Sequence, residues 1–259
     1  VIFPEGEIYH HHESLDDLNE GVAAIALRVA DGQPADRRLH LVPVALRYAY
    51  GDAVARSFPR RLERLERRIW WKPRADLPVV ERIVRLGRGL LAVKEEEFLG
   101  HAQTGTLGER LRGFQLHLAA EVERRLGIDS GDQRLPHRVK IARQRIRQRL
   151  TANPPPTAEE VRALQSDIDR LFLVVQAYSY PLPYMTATPT VSRIAETLFK
   201  IEEDAFGAGE HPEPRSATVR SAAPTHVAAF VGARGMTFKS AATPLIGHLA
   251  GAIQSLLGA

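Results

Sequence analysis

The fold predicted from the sequence depends on its first nine residues, Val1-Ile2-Phe3-Pro4-Glu5-Gly6-Glu7-Ile8-Tyr9. An apolar run opens this segment and is stopped by Pro4 and Gly6, a pattern typical of a buried strand that ends in a turn. Ligands of open α/β sheets bind at the carboxyl edge of the strands, so we expect Glu5 to lie at a binding site. The sequence starts inside this element and without Met, and we therefore expect a longer parent chain with further strands upstream.

Another buried strand is predicted by the apolar run Leu39-His40-Leu41-Val42-Pro43-Val44-Ala45-Leu46. Between the two runs, apolar residues at helical spacing predict a helix from Ser14 to about Ala30. The order strand, helix, strand favours a parallel βαβ unit. Because Pro43 has no N–H to donate, we expect it at an edge, at a bulge or at the end of the strand.

The rest of the chain divides into a helical block and a short return to strand and helix. Apolar residues recur at helical spacing from Phe58 to about Phe206, and Thr157-Ala158-Glu159-Glu160 has the form of a capping box. We predict an α/β fold class, a partial mixed or parallel sheet with flanking helices, together with a large, mainly helical block. The predicted parts are 1–57, half of an α/β domain, 58–213, a helical insertion, and 214–259, a strand and a terminal helix that return to the α/β domain.

The composition excludes several classes of protein. The sequence contains no Cys, so a disulfide framework, a Cys-ligated metal site and a thiol nucleophile are excluded. No apolar run reaches the roughly 18 residues of a transmembrane helix. Between Arg56 and Leu150 there are 23 Lys or Arg against 12 Asp or Glu, in a chain of net charge +4. This basic middle indicates an anionic partner (phospholipid headgroups, nucleic acid or a phosphorylated substrate) or arginine-rich helix faces in solvent.

Two motifs and their spacing resemble the glycerolipid (lysophospholipid) acyltransferase family. Members typically carry a Phe-Pro-Glu-Gly turn, a helix and then a Val-Pro-Val strand, and this chain has Phe3-Pro4-Glu5-Gly6 and Val42-Pro43-Val44. The segment Leu18-Asn19-Glu20-Gly21-Val22-Ala23-Ala24-Ile25-Ala26 resembles the family's Gly- and Ala-rich helix. The resemblance covers residues 1 to about 50 and, weakly, 215–257.

The resemblance implies transfer of an acyl group from a thioester donor, acyl-CoA or acyl carrier protein, to the hydroxyl of a lysophospholipid or a glycerol phosphate. The family's catalytic His, with an Asp five positions later, precedes the turn, so no catalytic residue is expected within this chain. No metal or cofactor beyond the acyl donor is expected, and the expected location is cytoplasmic, peripheral at the inner membrane surface. Substrate-binding roles carry over to Phe3, Pro4, Glu5, Gly6, Glu7 and Pro43.

The residues after the turn depart from the family pattern. Family members continue with Thr-Arg-Ser, whose Arg helps to hold a phosphate, whereas this chain continues with Glu7-Ile8-Tyr9. A glutamate in place of a cation removes a charge-assisted contact to phosphate. The acceptor is therefore either bound differently or is not a simple glycerol phosphate.

Three adjacent histidines, His10-His11-His12, follow the turn. His11 with Asp16, and equally His12 with Asp17, has the spacing of the catalytic pair, but both pairs come after the turn rather than before it. A shared metal is another alternative, although successive side chains of an extended segment point to opposite faces. We favour a polar loop at the rim of the site.

Trp70 and Trp71 stand among cations, a composition that suits a membrane interface, and packing within the helical block is the alternative. The basic run from Arg138 to Arg149 has no interleaved aromatic residue and matches no nucleic-acid-binding module, which favours a solvated face. The leading hypothesis is part of a membrane-associated acyltransferase. The other hypotheses are a non-catalytic lipid- or acyl-binding protein on a degenerate acyltransferase fold, and a basic helical nucleic-acid binder.

Overall fold

The structure is a computed structural model that describes residues 1–6, 13, 15–34, 37–69, 71–180, 189–209 and 214–258. The chain forms two compact units, Val1–Ser57 with Thr190–Ala259 and, between these segments, Phe58–Pro189. The predicted helical block, 58–213, begins at the same residue as the second unit and extends further toward the C terminus. The fold is of mixed α/β type, and most of the described residues are helical.

The helices of the described residues are α1 Gly21–Asp31, α2 Phe58–Arg68, α3 Val79–Leu99, α4 Leu107–Leu126, α5 Leu135–Leu150, α6 Ala158–Tyr178, α7 Val191–Phe206, α8 Val227–Gly232 and α9 Ala242–Gly258, with a 3₁₀ helix at Asp52–Ser57. The strands are β1 His40–Leu41, β2 Val44–Tyr50, β3 Arg215–Ser221 and β4 Thr225–His226. All four strands belong to the first unit, while the described part of the second unit is helical.

The four strands form two antiparallel pairs. β2 pairs with β3 over its whole length, from Val44 opposite Ser221 to Tyr50 opposite Arg215. β1 pairs with β4, and there His40 lies opposite His226. The predicted parallel βαβ unit is therefore not formed by the described residues, because the partner of β2 is a strand that returns more than 160 residues later.

The predicted strand at the start of the sequence is also corrected. Val1, Ile2 and Phe3 have no strand conformation, and the exposed fractions of Ile2 and Phe3 are 54% and 79%. A short apolar run becomes a strand only when another strand satisfies its backbone groups. Among the described residues no strand pairs with this run.

The second predicted strand is divided in two and reaches further than expected. Pro43 separates β1 from β2, and β2 continues past Leu46 to Tyr50. The division follows from the missing N–H of Pro43, which places this residue between ladders, as the sequence predicts. The carbonyl of Pro43 accepts a hydrogen bond from the N–H of Ala222 at 2.9 Å, so the chain stays close to its partner at the break.

The first helix begins later than predicted, at Gly21. Ser14 lies outside the described residues, and the segment from Leu15 to Asn19 is not helical. Asn19 uses its backbone and side chain to bind the opening turn, and Leu15 donates its N–H to the side chain of Gln254 at 3.2 Å. These contacts hold the residues before α1 outside the helix.

The core of the first unit lies between α1, α8 and α9. Apolar side chains from these three helices and the loop before α9 are almost fully buried there. The members include Ala23, Ala26, Leu27, Val227, Phe230, Val231, Ala241, Leu245, Ile246 and Leu249. Leu39 and Leu41, before and within β1, pack against this core.

Local signals define the helices of the second unit. The predicted capping box at Thr157 and Glu160 is confirmed, and an equivalent box is formed by Thr106 and Glu109 at the start of α4. Gly127 ends α4 in the left-handed region, with φ 65°. Apolar residues of α3 to α6 form one buried cluster whose members include Leu91, Phe114, Leu118, Val122, Leu126, Val139, Ile146, Leu164, Leu171 and Val174.

Several arginines of the basic middle are paired inside the second unit. Arg82 and Glu66, with exposed side-chain fractions of 3% and 0%, form an ion pair at 2.6 Å. Arg110 with Glu95 and Arg138 with Glu123 form further pairs of this kind. Part of the positive charge is therefore neutralised within the helical unit. None of the described helices has both the length and the apolar character needed to cross a membrane.

Candidate functional site

The Phe3-Pro4-Glu5-Gly6 segment forms a turn that is fixed to the residues before α1. The backbone N–H of Asn19 donates to the carbonyl of Pro4 at 2.7 Å. The side-chain amide of Asn19 donates to the carbonyls of Pro4 and Glu5 at 3.2 and 3.0 Å. Gly6 has a φ of 75°, a backbone conformation that favours glycine. One asparagine thus determines the path of the turn.

A buried carboxylate lies a few residues after the turn. Glu13, whose side chain is 9% exposed, accepts hydrogen bonds from Arg193 Nε at 2.7 Å and from Arg47 Nη2 at 3.3 Å. The hydroxyl of Thr190, at the N-cap of α7, also donates to Glu13 at 3.1 Å. The group of Glu13, Arg47, Thr190 and Arg193, called here the Glu13 cluster, joins the segment after the turn to β2 and α7.

The N terminus of α7 is attached to β2 at a second point. The N–H of Tyr50, the last residue of β2, donates to the hydroxyl of Ser192 at 3.0 Å. Ser192 is in the first turn of α7 and is 6% exposed. Because this bond fixes the start of α7 against the end of β2, it also fixes the distance between Arg193 and Arg47.

The two faces of the β2–β3 ladder differ in burial. Ala45 is 4% exposed, and Arg47 follows it on the same face, since side chains alternate along a strand. On the opposite face Val44 and Leu46 are 50% and 43% exposed, and Val219, paired with Leu46, is 67% exposed. This open apolar face is made of strand residues and lies directly beyond Pro43.

A cavity of about 440 Å³ lies at the end of the strands, beside the β1–β4 pair. Small apolar residues and Phe230 form most of its wall, and His226 and His248 supply imidazoles. His248 Nε2 lies 3.1 Å from the hydroxyl of Thr225, and the ring of His226 stacks on that of His40 with centroids 5.0 Å apart. The remaining lining residues are Ala222, Ala223, Pro224, Ala229 and Ala252.

Trp71, a predicted membrane-interface residue, is half-buried against α3 in the second unit. Its indole ring packs directly on Gly89, and the guanidinium of Arg85 lies 4.5 Å from the ring centroid. The backbone N–H of Trp71 donates to the carbonyl of Glu66 at 2.8 Å. Glu7, Trp70 and the histidines at 10–12 lie outside the described residues.

No motif or spacing in the sequence predicts the Glu13 cluster. Its members come from three distant segments, and the bond between Arg193 and Glu13 spans 180 residues. In the sequence alone, Glu13, Arg47 and Arg193 look like ordinary surface charges. Among the described residues, no group of three or more His, Cys, Asp or Glu side chains is arranged to hold a metal ion.

Comparisons of the chain with protein-family models, with curated proteins and with solved structures gave no match.

Proposed function

We propose that this chain is the acceptor-side part of a glycerolipid acyltransferase, which transfers an acyl group from a thioester to the hydroxyl of a lysophospholipid or of a related glycerol phosphate. The observation that carries the proposal is the Phe3-Pro4-Glu5-Gly6 turn, held by Asn19 and followed by α1 and by the Pro43 break before β2. This order of turn, helix and Val-Pro-Val strand is the one that the family resemblance requires.

The proposed chemistry needs a general base, which the family resemblance places N-terminal to the turn. In the family that the motifs resemble, a His takes the proton of the acceptor hydroxyl and an Asp orients the imidazole. Both belong to a segment N-terminal to the turn. Phe3, Pro4, Glu5 and Gly6, with Glu7 and Pro43, would then form the wall that positions the acceptor beside that base.

Two apolar surfaces of the first unit support a lipid substrate. The exposed face that includes Val44, Leu46 and Val219 lies beyond Pro43. The open depression beside β4 is lined mostly by Ala side chains, Pro224 and Phe230. Both surfaces suit hydrocarbon better than a fully polar ligand.

A contact with an anionic membrane surface belongs to the same proposal. α5 has no acidic residue, and its outward-facing Lys140, Arg145 and Arg147 form no ion pair with a described carboxylate. Each basic residue near an anionic bilayer contributes about 1 kcal/mol to binding. The face has no aromatic residue on which bases could stack, which favours lipid headgroups over nucleic acid.

Acyl transfer is tested with the natural full-length protein. The proposal requires a His-x4-Asp motif N-terminal to the turn, and the protein should then consume acyl-CoA or acyl carrier protein thioester in the presence of a lysophospholipid. Glu5→Ala should lower the rate, while Glu159→Gln, at an exposed position of α6, should leave it unchanged. Absence of the motif, or a Glu5→Ala rate equal to the wild-type rate, would contradict the assignment.

The membrane contact is tested by sedimentation with vesicles of phosphatidylglycerol or phosphatidylcholine. A variant with Lys140, Arg145 and Arg147 all changed to Gln should lose most of its binding to the anionic vesicles. The matched control changes three exposed arginines on other helices of the same unit, Arg88, Arg112 and Arg162, to Gln. Equal loss in both variants would mean that only net charge matters, and binding to RNA without binding to vesicles would favour the nucleic-acid alternative.

A non-catalytic lipid- or acyl-binding protein on the same fold is the second candidate. The observation that favours it is the sequence Glu7-Ile8-Tyr9 after the turn, which lacks the cation expected for phosphate. Such a protein would bind a fatty-acyl thioester without consuming it. Turnover measured together with binding separates the two candidates.

A further inference from the structure

The Glu13 cluster brings two guanidinium groups to one carboxylate. Arg47 and Arg193 contribute two guanidinium groups, and both converge on the carboxylate of Glu13. The cluster is not sealed, because the Arg47 and Arg193 side chains keep exposed fractions of 34% and 26%, while that of Glu13 is 9%. The carboxylate is thus enclosed by cations that solvent can still reach.

The donors around Glu13 also exceed the bonds that it accepts. A guanidinium carries five N–H donors in a planar fork that matches carboxylate or phosphate oxygens. Arg47 uses Nη2 toward Glu13, but its buried Nε has no hydrogen-bond partner among the described residues. A buried N–H without a partner costs free energy, and an anion with more oxygens than a carboxylate would satisfy it.

The N terminus of α7 adds to the same positive region. Thr190 caps this helix of 16 residues, and Arg193 is its third residue. The unpaired N–H groups at a helix N terminus favour a negative group, and phosphate is the anion most often found there. The hydroxyl of Thr190, which now donates to Glu13 at 3.1 Å, is a further donor for such an anion.

We propose that Arg47, Thr190 and Arg193 form a phosphate-binding site, in which the carboxylate of Glu13 serves as an internal counter-ion. The ligand class is a phosphate monoester, and its role as the acceptor headgroup rests on the proposed function. Phosphate binding itself does not rest on it. Arg47 and Ala45 lie on the covered face of β2. The site is therefore on the strand that begins directly after Pro43.

Glu13 sets the affinity of this site. With the carboxylate in place, a phosphate must displace it or share its donors. Glu13→Gln removes one negative charge and keeps the size of the side chain. The variant should therefore bind phosphate about tenfold more tightly, because Glu13 no longer competes with phosphate for the hydrogen-bond donors of the cluster.

The test is calorimetric titration of the chain with inorganic phosphate, with sn-glycerol 3-phosphate and with a short-chain lysophosphatidic acid below its micelle concentration. Glycerol serves as the uncharged probe. Glu13→Gln should tighten binding of the three phosphates and leave glycerol unbound. Adding Arg47→Gln or Arg193→Gln to that variant should remove the gain. Arg28→Gln, a matched charge change at an exposed position of α1, should alter the affinity less than twofold.

Each outcome decides the inference. Tighter binding of lysophosphatidic acid than of inorganic phosphate assigns the site to a lipid headgroup, and equal binding assigns it to phosphate in general. The proposal is wrong if Glu13→Gln does not bind phosphate more tightly, or if Arg28→Gln lowers the phosphate affinity as much as Arg47→Gln does. Where circular dichroism shows that Arg47→Gln does not fold, Arg47→Lys replaces it, since a lysine keeps the charge but loses the fork and should keep only part of the gain.

The assay contains no acyl donor, so it is independent of acyl transfer. Phosphate binding without thioester turnover would overturn the proposed enzyme and leave the phosphate site standing. Thioester turnover without phosphate binding at this cluster would overturn the phosphate site and leave the proposed enzyme standing.

Discussion

The side-chain amide of Asn19 occupies the space beside Gly6, so that a Cβ added to Gly6 would lie 2.5 Å from Asn19 Nδ2. The same amide donates to the carbonyls of Pro4 and Glu5. Gly6 is therefore required twice, once by its φ of 75° and once by the closeness of Asn19. The turn and the residue before α1 form one structural element.

Gly6→Ala should loosen this element. A non-glycine residue at positive φ costs about 1–2 kcal/mol, and the close approach to Asn19 adds to that. The backbone N–H of Asn19, which donates to Pro4, should then exchange with solvent about tenfold faster by hydrogen-exchange mass spectrometry. Gly21→Ala is the control, because a Cβ there meets nothing within 4 Å.

The double variant Gly6→Ala with Asn19→Ala separates the two causes. Asn19→Ala removes the close contact but leaves the positive φ, so part of the cost of Gly6→Ala should disappear in the double variant. Purely additive effects would mean that the side chain of Asn19 does not restrict residue 6.

Local signals allowed parts of the fold to be predicted from the sequence. The capping box of Thr157 and Glu160 depends on residues only a few positions apart, and it is found in the structure. The strand at Val1 to Phe3 was wrong because strand formation depends on a distant partner, which an apolar run does not reveal. Val93 belongs to the apolar pattern of α3 but is 64% exposed, because such a pattern does not show which face of a helix another helix covers.

The site was predictable to different degrees. The turn was found through a four-residue motif, and Pro43 through its missing N–H. Arg193 could not be found, because its relation to Glu13 spans 180 residues and carries no periodic pattern. Sites built from long-range ion pairs depend on the tertiary fold rather than on spacing in the chain.

Glu66→Gln should destabilise the second unit strongly. Glu66 and Arg82 are almost fully buried, and the variant leaves the guanidinium of Arg82 without its charged partner. Breaking such a pair from one side costs about 3–5 kcal/mol in the free energy of unfolding. Urea denaturation followed by circular dichroism measures this change.

The matched control for that pair is Glu63→Gln on the same helix. Glu63 pairs with Arg67 at 2.7 Å, but the two side chains are 46% and 67% exposed, so the loss should be about 0.5 kcal/mol or less. Changing both Glu66 and Arg82 to Met should recover most of the stability, since apolar side chains can replace a buried pair. Similar losses in Glu66→Gln and Glu63→Gln would show that burial does not govern these pairs.

The pair of Glu123 and Arg138 should make stability depend on acid pH. Burial raises the pKa of Glu123, but the two hydrogen bonds from Arg138 and its positive charge outweigh this effect, so the pKa lies below its usual value. A carboxyl whose pKa is lowered on folding stabilises the protein above its unfolded pKa of about 4.3, and this contribution is lost as the pH falls through the folded pKa.

Glu123→Gln removes that titrating group. The difference in unfolding free energy between wild type and Glu123→Gln should be constant above about pH 5 and should shrink as the pH falls below about 4.3. Glu159→Gln, at an exposed position of α6, serves as the control and should differ little from wild type at any pH. A difference that grows on acidification would have the wrong sign for a lowered pKa.

Gly89→Ala should displace the indole ring of Trp71. The ring packs directly on Gly89, so an added methyl group overfills the contact and should cost about 1–3 kcal/mol of stability. In a Trp70→Phe background Trp71 is the only tryptophan of the chain, and its fluorescence should move to longer wavelength as the ring enters water. Gly113→Ala, in a helix and with nothing within 4 Å, should instead stabilise the protein by about 0.5–1 kcal/mol.

The same single-tryptophan protein distinguishes packing from membrane insertion. A ring held between Gly89 and Arg85 should keep its emission when phosphatidylglycerol vesicles are added, because leaving α3 would break the stacking on Arg85 at 4.5 Å. A shift to shorter wavelength on vesicles, abolished by changing Trp71 to Ala, would instead mean that the ring leaves this contact to enter the bilayer. Unchanged emission in Gly89→Ala would contradict the packed position itself.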